Sequence, residues 1–133
     1  MSNSKSPPIL IDPHPLLEAV TFSALWNDSL GSIPSPPELI AALDPDSENL
    51  RDDETKARVR RMLRHGGYRP AGRGKPASEY LVGAAEQGTL LSINAAVDAC
   101  NASSLWGGLP ISVVDRDLAS APLGIRIAPE GTS

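Results

Sequence analysis

NAAVDACNASSLWGGLPISVVDRD, residues 94–117, carries a helix, its stop and a strand in one short stretch. The run 94–105 fits a helix with Val97, Cys100 and Leu105 turned inward. Gly107-Gly108 closes it, because glycine reaches the left-handed backbone that ends helices. The segment 111–114 then reads as a strand. Asp98 and Asn101 stand at i and i+3 and share one helix face. On that face Asp98 can orient a ligand amine or hold a loop amide, and Asn101 can read a polar substrate group. The structural reading of the pair, which we prefer, is that they fix the Gly107-Gly108 turn and buried strand ends. Asp115 and Asp117 follow the strand as a carboxylate pair. No His or Cys lies near enough in sequence to complete a transition-metal site, so turn capping is the preferred role and no metal is expected.

Working back from this stretch, a helix over 77–87 has Tyr80, Leu81 and Ala84 facing inward, and Gly88 ends it. A longer helix is expected over 52–65. Its acidic start (Asp52, Asp53, Glu54) and basic end (Arg60, Arg61, Arg64) suit the helix dipole, with Val59, Met62 and Leu63 as the apolar stripe. Pro37 opens a short helix to Leu43, which Asp44-Pro45 ends. Short strands are expected over 9–11, 17–26 and 125–128, and a loose terminus over 1–8. Between the helices, GGYRPAGRGKPA (66–77) is too rich in Gly and Pro for regular structure. Helices and strands mix without a regular βαβ rhythm. The expected fold class is therefore α+β, a mixed sheet with several helices packed on it, as a single domain over 9–133.

The 133 residues suit one domain, and only five are Phe, Trp or Tyr, so the core must rest on Leu, Val, Ile and Ala. No apolar run has the roughly 18 residues of a membrane span, the N-terminus has no signal-peptide core, and the lone Cys100 has no internal disulfide partner. A cytoplasmic setting is expected. The net charge of −4 is unevenly spread. Residues 1–55 carry two basic and ten acidic groups, residues 56–75 eight basic and none acidic, and residues 76–133 two basic and six acidic. Such asymmetry points to an anionic partner. Lys56, Arg60 and Arg64 recur at i, i+4 and i+8 along one helix face, and Arg69, Arg73 and Lys75 follow on the Gly/Pro loop. A row of this kind suits the phosphates of RNA, and Tyr68 can stack on an exposed base. The alternative is a solvated face paired with the acidic N-terminal third. His14 and His65 have no evident triad partner and read as surface or structural residues, and Cys100 reads as a core residue. Phosphate-loop, dinucleotide, serine-hydrolase and zinc motifs are absent from the sequence, and no cofactor is expected.

The spacing V-D-x-x-N-x-x-x-L-x-x-G-x-P-x-x-x-x-D, here Val97, Asp98, Asn101, Leu105, Gly108, Pro110 and Asp115, resembles the signature of the phenylalanyl-tRNA synthetase beta-subunit editing domain (the B-three/B-four type). RMLRHGGYRPAGRGKPASEYL looks like the same region of free-standing members of that family. The resemblance covers roughly residues 50–130. It departs at Ser112, where synthetase subunits often carry His and a proton-exchanging ring is replaced by a group that only hydrogen-bonds.

The resemblance implies a free-standing, trans-editing aminoacyl-tRNA deacylase, a hydrolase acting on the ester of misacylated tRNA. The basic helix and loop would hold the tRNA. Asn94, Asp98, Asn101, Gly108, Pro110, Ser112 and Asp115 would belong to one wall of the amino-acid pocket. The alternatives are a non-catalytic tRNA- or amino-acid-binding module and a structural subunit. In the family the domain continues past the position of Ser133. A second polypeptide or a C-terminal segment is therefore expected to complete the fold, and no DNA or membrane partner is expected.

Overall fold

In a computed structural model we describe residues 9–120 and 122–132, so the expected loose terminus over 1–8 lies outside the described residues. Among them are four α-helices and a two-stranded sheet, an α+β composition. The packing divides the chain into two compact units, Trp26–Val113 and Met1–Leu25 with Val114–Ser133.

The Trp26–Val113 unit is helical, and local signals explain most of its boundaries. Pro37 opens α1, Pro37–Ala41, with the fixed φ of a first helical residue. Asp52 caps α2, Asp53–Arg64, by accepting from the Thr55 amide at 2.7 Å. That bond is the main cause holding the Asp52 carboxyl below the usual carboxylate range. Pro76 precedes α3, Ala77–Glu86, and its carbonyl accepts the Glu79 amide at 3.0 Å. Asn94 caps α4, Ala95–Gly107, accepting from the Val97 amide at 2.9 Å. Gly108 ends it at φ 73°, a backbone that strains any residue with a Cβ. A Cβ there would also lie 2.9 Å from Cβ of Arg51, so this glycine is fixed by conformation and by space.

Helices α1 and α3 both pack on α4, which forms the spine of the unit. Leu105 is its most buried apolar residue at 1 % exposure, joined by Leu43, Val59, Ala85, Ala96 and Ala102. Such small side chains bury little area each, so polar contacts carry more of the ordering. The Asp98 carboxylate is fully buried (0 % exposed) and accepts from the Ser35 and Ser92 hydroxyls and the Ile93 amide. Three segments therefore converge on one side chain: the loop before α1, the loop before α4 and α4 itself. At the other end of α4, Arg51 donates to the carbonyls of Leu105 (2.8 Å) and Pro45 (2.7 Å). The Leu50 amide reaches the Trp106 carbonyl at 2.7 Å. These bonds occupy carbonyls that the helix end leaves without partners, and the cation complements the dipole there.

The other unit is built differently. Strands β1, Leu10–Ile11, and β2, Gly124–Ile125, pair in parallel with Leu10 opposite Gly124 and Ile11 opposite Ile125. Asp12 ties their ends, its amide donating to the Ile125 carbonyl (2.9 Å) and its carboxylate accepting from the Ile127 amide (3.1 Å).

Three expectations are corrected. Among the described residues the sheet is a two-stranded parallel pair and not a mixed sheet, and α1 and α3 pack on α4. The strands expected over 17–26 and 111–114 do not form. Both lack a backbone ladder among the described residues, and β-propensity without a partner strand gives no strand. Tyr80, expected inward, is half exposed, and Ser78 and Ala85 are the buried residues of α3.

Candidate functional site

The cationic stretch is sorted by its partners. Arg60 leaves the row expected to face RNA, because its guanidinium makes two bonds of 2.6 and 2.7 Å to the Glu79 carboxylate on α3. The hydrogen bond from Arg60 is the main cause depressing the Glu79 pKa, and the charges of Lys56 and Lys75 add to it. Both lysines thus lie near Glu79, yet neither forms an ion pair among the described residues. Arg64 at the end of α2, with Arg69 and Arg73 in the following loop, is exposed and without an ion pair among the described residues.

The loop carrying these arginines is held in shape. The Tyr68 hydroxyl donates to the Gly74 carbonyl at 3.1 Å, and the Tyr80 hydroxyl donates to the Gly72 carbonyl at 2.9 Å. The 3-10 turn Gly72–Gly74 lies between those two anchors. Arg69, Arg73 and Lys75 are therefore presented from a braced turn, which lowers the ordering cost of meeting an anion.

Tyr80 also faces an apolar groove of about 360 Å³ between α3 and α4, lined further by Leu81, Ala84, Asn101, Ser104 and Ile111. Ser104 is occupied, its hydroxyl donating to the Leu109 carbonyl at 2.6 Å. Asn101 makes no side-chain hydrogen bond to any described residue, so its amide is the open polar group of the groove. No carboxylate or imidazole lines the groove.

The remaining candidates take other places. Asn94 is a helix cap, Asp98 a buried loop clamp and Gly108 the stop of α4. For Asp98, burial pulls the pKa up, while the bonds from Ser35, Ser92 and Ile93 outweigh it and hold the carboxyl below its usual range. Pro110 and Ser112 are exposed on the irregular run after α4. Asp115 lies in the other unit, where its carboxylate accepts from the Asp117 amide at 3.0 Å in a turn. Cys100 is half-buried; burial raises its pKa, and it donates to the Ile111 carbonyl. Among the described residues no His, Cys, Asp and Glu cluster could hold a metal, and no helix is long and apolar enough to cross a membrane.

Two working residues escaped the sequence reading. Arg51 is an isolated cation in a strongly acidic third, a signal that it serves a specific acceptor. Tyr80 reads as inward-facing from its helix position, although a tyrosine beside a Gly-rich loop has a hydroxyl that needs a partner. Comparison of the chain with known protein families, with curated proteins and with solved structures finds no match.

Proposed function

We propose that this chain binds tRNA and removes a wrongly attached amino acid from it, in the manner of the phenylalanyl-tRNA synthetase beta-subunit editing domain that residues 94–115 resemble. One observation carries the reading: Tyr80 lines the apolar groove with its ring while its hydroxyl holds Gly72 in the cationic loop. A pocket suited to an amino-acid side chain thus adjoins a braced set of cations suited to phosphates. The substrate class that needs both at once is an aminoacylated RNA.

The ester to be cleaved is already activated, so a protein nucleophile is not required. Water adds to the ester carbonyl carbon, the tetrahedral species collapses, and the ribose hydroxyl leaves with a proton while the free amino acid departs. The Asn101 amide is placed to orient the water or to donate to the developing oxyanion. Binding without turnover is the second reading, favoured by the absence of any carboxylate or imidazole from the groove lining. We further propose a second polypeptide that covers Leu109, Ile111 and Val113, which are all about half exposed.

The test is the release of tyrosine from misacylated phenylalanine tRNA, with and without that second chain. Release faster than spontaneous hydrolysis, lost in Asn101→Ala, is the expected result. Tight binding that leaves the ester intact points to the binding module. No binding and no release would remove tRNA from the reading altogether.

A further inference from the structure

A second concavity is lined by Lys75 and by Glu79, Val82, Gly83 and Glu86 of α3, with Arg51 and Asp52 just before α2 and Asp53 and Lys56 on it; Arg51 and Asp52 are already engaged, by backbone carbonyls and by the Thr55 amide. Its volume of about 480 Å³ falls in the range of small-ligand sites. Its charges are not mutually satisfied. The Glu79 carboxylate on its wall is taken up by Arg60, so Lys56 and Lys75 remain as two ammonium groups in one neighbourhood without an ion pair among the described residues. Asp53 and Glu86 add carboxylates with no side-chain hydrogen bond or ion pair among the described residues.

Gly83 lies on the wall of this cleft. It sits inside α3, where glycine costs about 1 kcal/mol relative to alanine. A Cβ on it would meet nothing within 4 Å, so no part of the chain requires its absence. A bare backbone facing an open cleft lets a flat group approach closely.

We propose that this cleft binds one unpaired nucleotide. Its phosphate sits between Lys56 and Lys75, its base lies over Gly83 and Val82, and its ribose hydroxyls or exocyclic amine donate to Asp53 and Glu86. The chemistry is met equally by a free nucleoside monophosphate and by a single-stranded end of RNA. The second source would deepen the tRNA reading above and rests on it, and the first does not.

The experiment is titration of the full chain by calorimetry with adenosine 5′-monophosphate, adenosine and a short single-stranded RNA, on wild type, Gly83→Leu and Lys56→Ala/Lys75→Ala. Saturable binding of the monophosphate, weaker for adenosine, is expected. Filling the cleft in Gly83→Leu should lower that affinity about tenfold or more, because leucine removes the space a base needs. The variant exchanges a poor helix former for a good one, so its melting temperature should hold or rise, which separates lost binding from misfolding. The lysine pair should lower the monophosphate affinity by about tenfold and leave adenosine unchanged, since charge-assisted bonds to the phosphate are what it loses. Binding of the RNA but not the free monophosphate, with the same losses, assigns the nucleotide to RNA and also supports the site. Affinities unchanged in both variants, or no binding of any of the three probes, overturn it. If both variants keep wild-type affinity for all three probes while misacylated tRNA is still bound or cleaved, only this site fails. A chain that takes the monophosphate but ignores tRNA leaves the site standing and sinks the tRNA reading.

Discussion

The unit Trp26–Val113 and the unit formed by the two chain ends differ in what orders them. In the first, each helix carries its own start or stop, and a fully buried carboxylate ties three segments together. In the second, two strands of two residues each are the regular structure among the described residues. Val20, Phe22 and Leu118 are there 86–87 % exposed. Helices close their hydrogen bonds within one segment, whereas an extended run must find a partner elsewhere. A chain poor in aromatic residues can therefore order its helical part through caps and polar clamps while its other unit leaves large apolar side chains exposed.

The sharpest way to break this comparison is at Asp98. Asp98→Ala leaves two hydroxyls and an amide without their acceptor, and should destabilise the helical unit by about 3–5 kcal/mol in chemical denaturation. A loss below about 1 kcal/mol would mean that the clamp does not order the unit. The carboxylate also sets a pH dependence. Its folded pKa lies below the unfolded value of about 3.9, so its contribution is fully present above that value and is lost as pH falls through the folded pKa. Stability should be level above about pH 5 and decline below about pH 4, less steeply in Asp98→Asn. Asp52 and Glu79, whose pKa values are also lowered, account for the decline that remains.

Leu105→Ala comes next, at about 2–4 kcal/mol, because α4 then keeps a cavity at its most buried apolar position. Gly108→Ala should cost about 1–2 kcal/mol from the left-handed backbone alone. The approach to the Arg51 Cβ adds to that cost, and a matched Arg51→Gly background, which removes that Cβ, should recover the added part. The smallest effect sharpens the other side of the comparison. Phe22→Ser and Leu118→Ser should move stability by no more than about 0.5 kcal/mol, since neither side chain is buried. If either costs several times that, the unit formed by the two chain ends has a core of its own.

The same contrast explains what was legible in the sequence. The expected helices 37–43, 52–65, 77–87 and 94–105 match α1 to α4 to within one or two residues at each end, because Pro37, Asp52, Asn94 and the glycines act locally. The strands over 17–26 and 111–114 misled because alternation and β-branching describe a surface that fits a sheet without saying what it pairs with. Within the candidate site, the family-like spacing pointed to Asp98, Asn101 and Gly108. Only the packing shows that Asp98 and Gly108 shape the backbone while Asn101 is left open to the groove. The i, i+4, i+8 spacing grouped Arg60 with Lys56 and Arg64, and could not reveal that Glu79, nineteen residues on, takes its guanidinium.

The central claim is that one groove and one cationic loop act on the same molecule, and affinity for aminoacylated against uncharged tRNA tests it most directly. Titrations at several salt concentrations should show tighter binding of the tyrosylated form. Its salt slope should fall by about one for each of Arg69→Ala and Arg73→Ala, as each phosphate contact is removed. Equal affinity for the two forms, or binding indifferent to both salt and the loop arginines, would contradict it.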